Sequence, residues 1–352
     1  MNYQSDLPTY IPLVIAWLWW WREVIGVLRR IYLYIRNKNE VQSKIFSVEV
    51  ILPCILIIGC LLLAETYCAF ILDKSDSLNF SFVSRLWFSR HWKPINQEGF
   101  RSREQNMANV DDKKVVLVLG DSFAAGHGIE NYKDTFPEIL AQKMGDSHFV
   151  VNYSKCGWDT KEELNAALSF PLKPDIVILS YLCNDILSSA RDAGLTFDWS
   201  YILPQNKLWA WAVNNSYFMN YIHFNMALRM EGNSIYTEFI EFLLKSHRDP
   251  LISEKHIEEL RAIAEYAETN NSQLIVIQWP IFSLPNESSQ MTANIDSAFE
   301  HIIHKKIDLL DRMKDWPLEK TIVSFMDPHP SISAHAYVAD LLAEEITGSL
   351  LK

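Results

Sequence analysis

The chain opens on two long apolar stretches and, past residue 112, settles into alternating short apolar runs and amphipathic segments. Ser47 to Leu72 carries only Glu49 and Glu65 as charges, and a helix of that length crosses a bilayer core of about 30 Å. It reads as a transmembrane helix, and Glu65, the deeper of the two acids, needs a partner or a place at the interface. Ile11 to Ile35 is also apolar, but Arg22, Glu23, Arg29, Arg30 and Arg36 recur along one helical face. That pattern predicts an amphipathic helix lying in the membrane surface; a short second span through Pro12 to Trp21 is the rival reading. Asp6 rather than a basic run precedes this stretch, which argues against a cleaved signal peptide.

Residues 1–46 thus form a cytoplasmic or interfacial segment, 47–72 the span, 73–112 a polar, aromatic-studded connector, and 113–352 a folded domain. Within that domain strands are predicted at Val115–Leu119, Phe149–Tyr153, Ile176–Tyr181, Gln273–Trp279 and Thr321–Phe325. Helices are expected at Phe136–Met144, Lys161–Ser169, Glu254–Thr269, Asn294–Met313 and Ala334–Leu350. Such alternation defines a doubly wound α/β domain with a parallel sheet. Leu187 to Pro250 interrupts it with Trp199, Trp209, Trp211, Tyr217, Phe218 and Met219. This insertion reads as a helical cap with its own small core, or as an acyl-binding or membrane-facing lid.

Charge changes the picture in two ways. The net charge of −11 over 352 residues excludes a general nucleic-acid binder. Arg22, Arg29, Arg30, Arg36, Lys38 and Lys44 lie between the two apolar stretches, whereas only Lys74, Arg85 and Arg90 follow within twenty residues of the second. The positive-inside bias therefore puts the basic stretch in the cytoplasm and everything after Leu72 across the membrane. A bacterial periplasmic or outer-surface domain fits, as does an organellar lumen. The five cysteines make no disulfide framework in a chain of this length; Cys156 and Cys183 are a pair that an oxidising compartment would permit.

The chemistry gathers around Lys113–Gly128, KKVVLVLGDSFAAGHG. A valine-rich run ends at Gly120-Asp121-Ser122, so Ser122 sits where a buried strand turns into a helix, at the sheet edge where α/β folds place ligands. Taken alone, Ser122 is as well read as a helix cap. Three more loops close at the same edge: Asn152 to Thr160 with Gly157, Ser180 to Asp185 with Asn184, and Met326 to His335 with Asp327 and His329. Ester cleavage needs a nucleophile, a base, a group that orients the base, and donors for the oxyanion. Ser122, His329 and Asp327 supply the first three; the N–H groups of Ser122 and Gly157 with the Asn184 amide supply the last, glycine permitting close backbone approach.

In this order and spacing, Gly-Asp-Ser122, Gly157, Asn184-Asp185 and Asp327/His329-Pro resemble the SGNH (GDSL-type) serine hydrolases, with a weaker echo at Gly99-Phe-Arg101. The resemblance implies a three-layer α/β/α sandwich over a five-stranded parallel sheet, and serine-dependent hydrolysis of an ester or acylated substrate, lipid or glycan, without metal or cofactor. Two departures stand out. Leu182 replaces the glycine that often opens the third block, and Asp327 and His329 are separated by one residue rather than two. Transfer of the acyl group to an envelope glycan, or removal of one from it, is a second reading; an inactive binding or assembly protein is a third. His335 is a rival base, read as structural in the final helix; His127, five residues after Ser122, could line the pocket but is read first as exposed at a helix start. Asp121 and Asp185 are expected to hold turns. No His, Cys and carboxylate residues fall at metal-ligand spacing, and neither phosphate-binding glycine pattern is present.

Overall fold

A computed structural model describes residues 10–36, 42–108, 110, 112–227, 234–293, 295–300 and 304–349. The chain runs through α1 (Ile11–Arg36), α2 (Gln42–Thr66), a π-helical turn (Tyr67–Ile71) and α3 (Phe82–His91). Then follow β1 (Lys114–Gly120), α4 (Ser122–Ala125), α5 (Phe136–Met144), β2 (His148–Ser154), α6 (Thr160–Ser169) and β3 (Ile176–Tyr181). Next come α7 (Leu187–Asp192), α8 (Lys207–Asn215), α9 (Tyr217–Ala227), α10 (Ser234–Arg248), α11 (Pro250–Thr269), β4 (Gln273–Gln278) and α12 (Pro285–Thr292). The chain closes with β5 (His304–Asp308), α13 (Leu309–Met313), α14 (Leu318–Thr321), β6 (Ile322–Ser324), β7 (Asp327–Pro330) and α15 (Ile332–Ser349).

These elements form two compact units, one drawn from Met1–Lys74, Asn79–Ser89 and Ile202–Met226, the other from Ser75–Leu78, Arg90–Tyr201 and Ala227–Lys352. In the first unit α1 and α2 pack antiparallel. Trp17 Nε1 donates to Thr66 Oγ1 at 2.9 Å and Trp20 Nε1 to the Ile55 carbonyl at 2.9 Å. The Trp20 ring lies so close to α2 that a Cβ on Gly59 would come within 2.8 Å of it. Ile11–Leu33 and Leu52–Ile71, with mean hydropathies of 1.4 and 2.3, are each long and apolar enough to cross a membrane. The expected surface helix is therefore also a candidate span, seated against its neighbour by tryptophans. Below the hairpin ends, Cys68, Ala69, Leu72, Phe82, Val83, Leu86 and Tyr217 make a small core.

The second unit is a five-stranded parallel sheet of order β2-β1-β3-β4-β5 with helices on both faces, the doubly wound arrangement the alternation predicts. Its strands show why the runs read as continuous rather than alternating. Val116, Val118, Ile178 and Ile275 pack on one face with α5 and α15, while Leu117, Leu119, Val177 and Val276 pack on the other with α6 and α11. Both faces are dry, so the central runs 115–119, 176–179 and 274–277 are apolar at every position.

The fifth strand corrects the sequence reading. It is β5, His304–Asp308, paired parallel with β4, inside the stretch expected to be the helix Asn294–Met313, of which 294 and 301–303 lie outside the described residues. On this edge strand Lys305 and Lys306 are exposed and reach Glu345 and Asp296. Charged edges discourage further pairing, and they also erase the apolar run that marks an inner strand. The segment expected as that strand, Thr321–Phe325, instead gives β6, which pairs antiparallel with β7 in a two-stranded ribbon. The insertion is helical, but it divides between units: α8 and α9 belong with the hairpin, whereas Ile240 and Leu243 of α10 join the sheet core.

Candidate active site

The site lies where β1, β2 and β3 end. Asp121 caps α4 by accepting from the Phe123 N–H at 2.8 Å, which fixes the sharp turn that presents Ser122. Arg101, buried in the connector, clamps the loop beyond. Its Nη1 donates to the Gly126 carbonyl at 2.7 Å and its Nη2 to Ile129 at 2.5 Å. Burial lowers Arg101 to about 10, still protonated at neutral pH, so the Gly99-Phe-Arg101 stretch is the brace of the serine loop.

The β6–β7 ribbon delivers the other two groups. In an extended strand residues i and i+2 share a face, so Asp327 and His329 stand side by side across Pro328. The spacing that departs from the two-residue pattern is thus the one a strand requires. His329 Nδ1–H donates to Asp327 Oδ1 at 2.6 Å, and Nε2 faces Ser122 Oγ at 2.8 Å. The Ser122 hydroxyl lies 3.4 Å from Asp121 Oδ2; the shorter contact to the imidazole is the stronger acceptor. All three side chains are buried, Asp327 wholly so.

Behind this row the structure places Ser75, which the sequence pattern did not single out, and His127. Asp327 Oδ2 accepts from Ser75 Oγ, and the Ser77 N–H donates to the Met326 carbonyl at 3.0 Å. His127, expected to be exposed, is buried and stacks on His329 with ring centroids 3.9 Å apart and planes 8° from parallel. Its Nε2–H donates to the Asp76 carbonyl at 2.8 Å, leaving Nδ1 to face the Cys156 thiol at 3.8 Å. Burial, and then the neighbouring His329, push His127 down to about 3, so it is neutral at physiological pH. For Asp327 burial opposes ionisation, but the His127 and His329 rings and the bonds from His329 and Ser75 outweigh it and hold the carboxyl well below its usual range.

His127, Asp327 and His329 offer ring nitrogens and a carboxylate oxygen within 4.8 Å of one another, a spacing that could hold a cation. Those atoms are engaged instead by Ser122, Ser75, the Asp76 carbonyl and each other.

Gly157 and Asn184, the other two expected oxyanion donors, lie on the loops that follow β2 and β3. β2 pairs with β1 up to Ser154 opposite Gly120, and the chain then reaches Gly157 at φ +78°. A Cβ on Gly157 would meet nothing within 4 Å, so the left-handed backbone, not crowding, calls for glycine. Asn184 turns its Nδ2 towards Asp121 Oδ2 at 3.5 Å. Leu182 needs no glycine conformation: it is extended, at φ −125°, and its N–H donates to Asp185 Oδ2 at 2.9 Å, the turn-holding role expected of Asp185. Cys156 and Cys183 are both free thiols. His335 is buried with Nδ1 accepting from the Phe136 N–H at 3.1 Å, far from the role of a base.

No protein-family model matches the sequence, and no curated protein matches it. Among solved structures the chain is similar to TesA, at 14% identity and a TM-score of 0.42 over 66% of this chain and 99% of that one. It is also similar to the psychrotrophic esterase EstA from Pseudoalteromonas sp., at 16% identity and a TM-score of 0.40, covering 68% and 100%. A third is a putative lipolytic protein of the G-D-S-L family from Desulfitobacterium hafniense, at 16% identity and a TM-score of 0.38, covering 66% and 99%.

Proposed function

We propose that the protein is a membrane-anchored serine ester hydrolase whose nucleophile is Ser122, with its catalytic unit on the extracytoplasmic side. The observation that carries this reading is the hydrogen-bonded row Ser122 Oγ, His329, Asp327, assembled from chain segments two hundred residues apart, with contacts of 2.8 and 2.6 Å. In the mechanism it supports, Ser122 Oγ attacks the ester carbonyl as its proton passes to His329 Nε2. Asp327, kept ionised, stabilises the imidazolium and holds Nδ1–H in place. The oxyanion is received by the N–H groups of Ser122 and Gly157 and by the Asn184 amide. Collapse expels the alcohol, protonated by His329. Water, deprotonated by the same ring, then cleaves the acyl-serine and releases the acid. A glycan hydroxyl in place of that water would give acyl transfer through the same intermediate.

The anchoring part of this reading rests on charge. With both α1 and α2 spanning, Arg22, Arg29 and Arg30 fall within the first span and the turn keeps Arg36, Lys38 and Lys44. Those three cations favour a cytoplasmic turn, with the chain after Leu72 on the far side. Replacing Ser122 by Ala in the full chain is expected to abolish labelling by a fluorophosphonate and to lower turnover of a short-chain aryl ester by about 10⁶-fold. Undiminished hydrolysis by Ser122→Ala would refute the mechanism.

A further inference from the structure

Resting on the reading of α1 and α2 as spans, we propose that α8 is an interfacial helix set in the membrane–water boundary. Leu208 and Trp211 would lie among lipid headgroups and upper acyl chains, so that the insertion binds the bilayer beside the hairpin.

The argument starts at Glu65. This carboxylate lies six residues before Ile71, where the apolar span ends, roughly 9 Å inside it at about 1.5 Å per residue. The apolar surface continues past it: Tyr67, Phe70 and Ile71 are all exposed. A carboxylate at that depth must be satisfied by the protein. Its donors are the Ser216 hydroxyl at 2.6 Å and the N–H groups of Tyr217 and Phe218 at 2.7 and 2.9 Å. Glu65 therefore caps α9 and holds the α8–α9 corner at its own depth. Aromatic contacts fix that corner from the other side, since Tyr217 stacks on Tyr10 at 5.9 Å, and Tyr10 meets Phe70 at 4.5 Å. Tyr10 immediately precedes α1, so both spans present an end here.

From this corner α8 runs with a divided surface. Val213 is buried, and Trp209, although 37% exposed, is tied to α9 by its Nε1–H, which donates to His223 Nδ1 at 3.1 Å. On the opposite side Leu208 and Trp211, one turn apart, are 76% and 66% exposed. Leu203, just ahead of the helix, is exposed as well. The helix carries no acidic residue, and its one charge, Lys207, stands at its first position. Aromatic and leucine side chains outward, with a single cation at the end, suit the headgroup region, where amphipathic rings concentrate. A helix held at the depth of Glu65 has lipid, not water, against such a face.

The test uses the full chain in phosphatidylcholine/phosphatidylglycerol nanodiscs. A genetically encoded environment-sensitive fluorescent amino acid replaces Trp211 in one variant, Leu56 in a second and Lys133 in a third. Spin-labelled lipids then quench either near the headgroup or near the chain end. Leu56, 58% exposed in the middle of α2, reports the span; Lys133 reports water. The expected result is quenching at 211 several-fold stronger by the headgroup label than by the chain-end label, with the reverse order at 56 and no quenching at 133. Deep quenching at 56 with none at 211 overturns the interfacial helix while leaving the anchor standing. Absence of quenching at 56 overturns the span reading and this proposal with it. Trp211→Ala, which removes only an exposed ring, should leave ester turnover in detergent unchanged.

Discussion

Asp327 has two carboxylate oxygens, and different parts of the chain hold them. Oδ1 meets His329, and Oδ2 meets Ser75, three residues past Leu72 at the end of the apolar stretch. A buried carboxylate that loses a donor is free to rotate and is less well satisfied, at a cost of about 1.5–3 kcal/mol. Ser75→Ala is therefore expected to lower kcat by about ten-fold or more with little change in KM, and Ser75→Thr to restore it; equal kcat in the Ala variant and the wild type would show that Oδ2 needs no partner. Gly128 belongs to the same packing, since at φ +79° its Cβ would sit 2.6 Å from Asp327 Oδ2. Ser122 and His329 could be picked out from the chain because strand ends and loop chemistry are local patterns. Ser75 could not, and for His127 the sequence offers a pocket-lining place and an exposed one alike, since nothing near either residue marks a partner two hundred or more residues away.

At the level of elements, legibility follows burial. The inner strands β1, β3 and β4 are dry on both faces, so their apolar runs can be read off directly. Edge strand β5 buries Ile307 among exposed lysines and mimics the spacing of a helix. β7 is too short to announce itself, yet it alone explains the Asp327-Pro-His329 spacing. Past α3 the connector has no regular element to mark it, and its hold on the serine loop depends on one side chain. Arg101 reaches carbonyls of Ala125, Gly126, Ile129, Glu130 and His91, and no backbone periodicity records that. Arg101→Leu leaves buried acceptors unpaired, each worth about 1–3 kcal/mol. The variant is expected to lose about 3 kcal/mol and roughly 6–12 °C in Tm, with ester turnover falling further than the unfolded fraction accounts for. A melting temperature within a degree of wild type would mean that the serine loop holds its shape without the clamp.

Across the whole sheet-bearing unit, the layer beneath the serine loop is acidic and dry. Asp121, Glu163 and Asp185 are fully buried, and both Glu163 oxygens and Asp185 Oδ1 lack hydrogen-bond partners. For Glu163 burial raises the pKa well above the usual range, and repulsion from Asp121 and Asp159 adds to it; for Asp185 burial acts first and Glu163 next. The linkage sign follows. An acid whose folded pKa is raised binds more protons native than unfolded, so its native state is favoured at low pH. That advantage is lost as pH climbs from the unfolded value near 4.3 towards the folded one. Asp327 runs the other way, because its depressed pKa adds stability above about pH 4 that fades only on strong acidification. Below about pH 6.5 the buried histidines His127, His247, His256 and His335, which burial holds at about 3 to 4, oppose the trend set by the buried acids, because the unfolded chain then binds the extra protons. Between pH 7 and 8 the buried acids govern the slope, and Tm should fall as pH rises. Glu163→Gln keeps the shape and removes the ionisable group. It is expected to flatten that slope and to raise Tm at pH 8 by roughly 3 °C or more, one pKa unit being about 1.4 kcal/mol, with no gain at pH 5. A mutant whose melting profile parallels the wild type across this range would place the unfavourable ionisation elsewhere than Glu163.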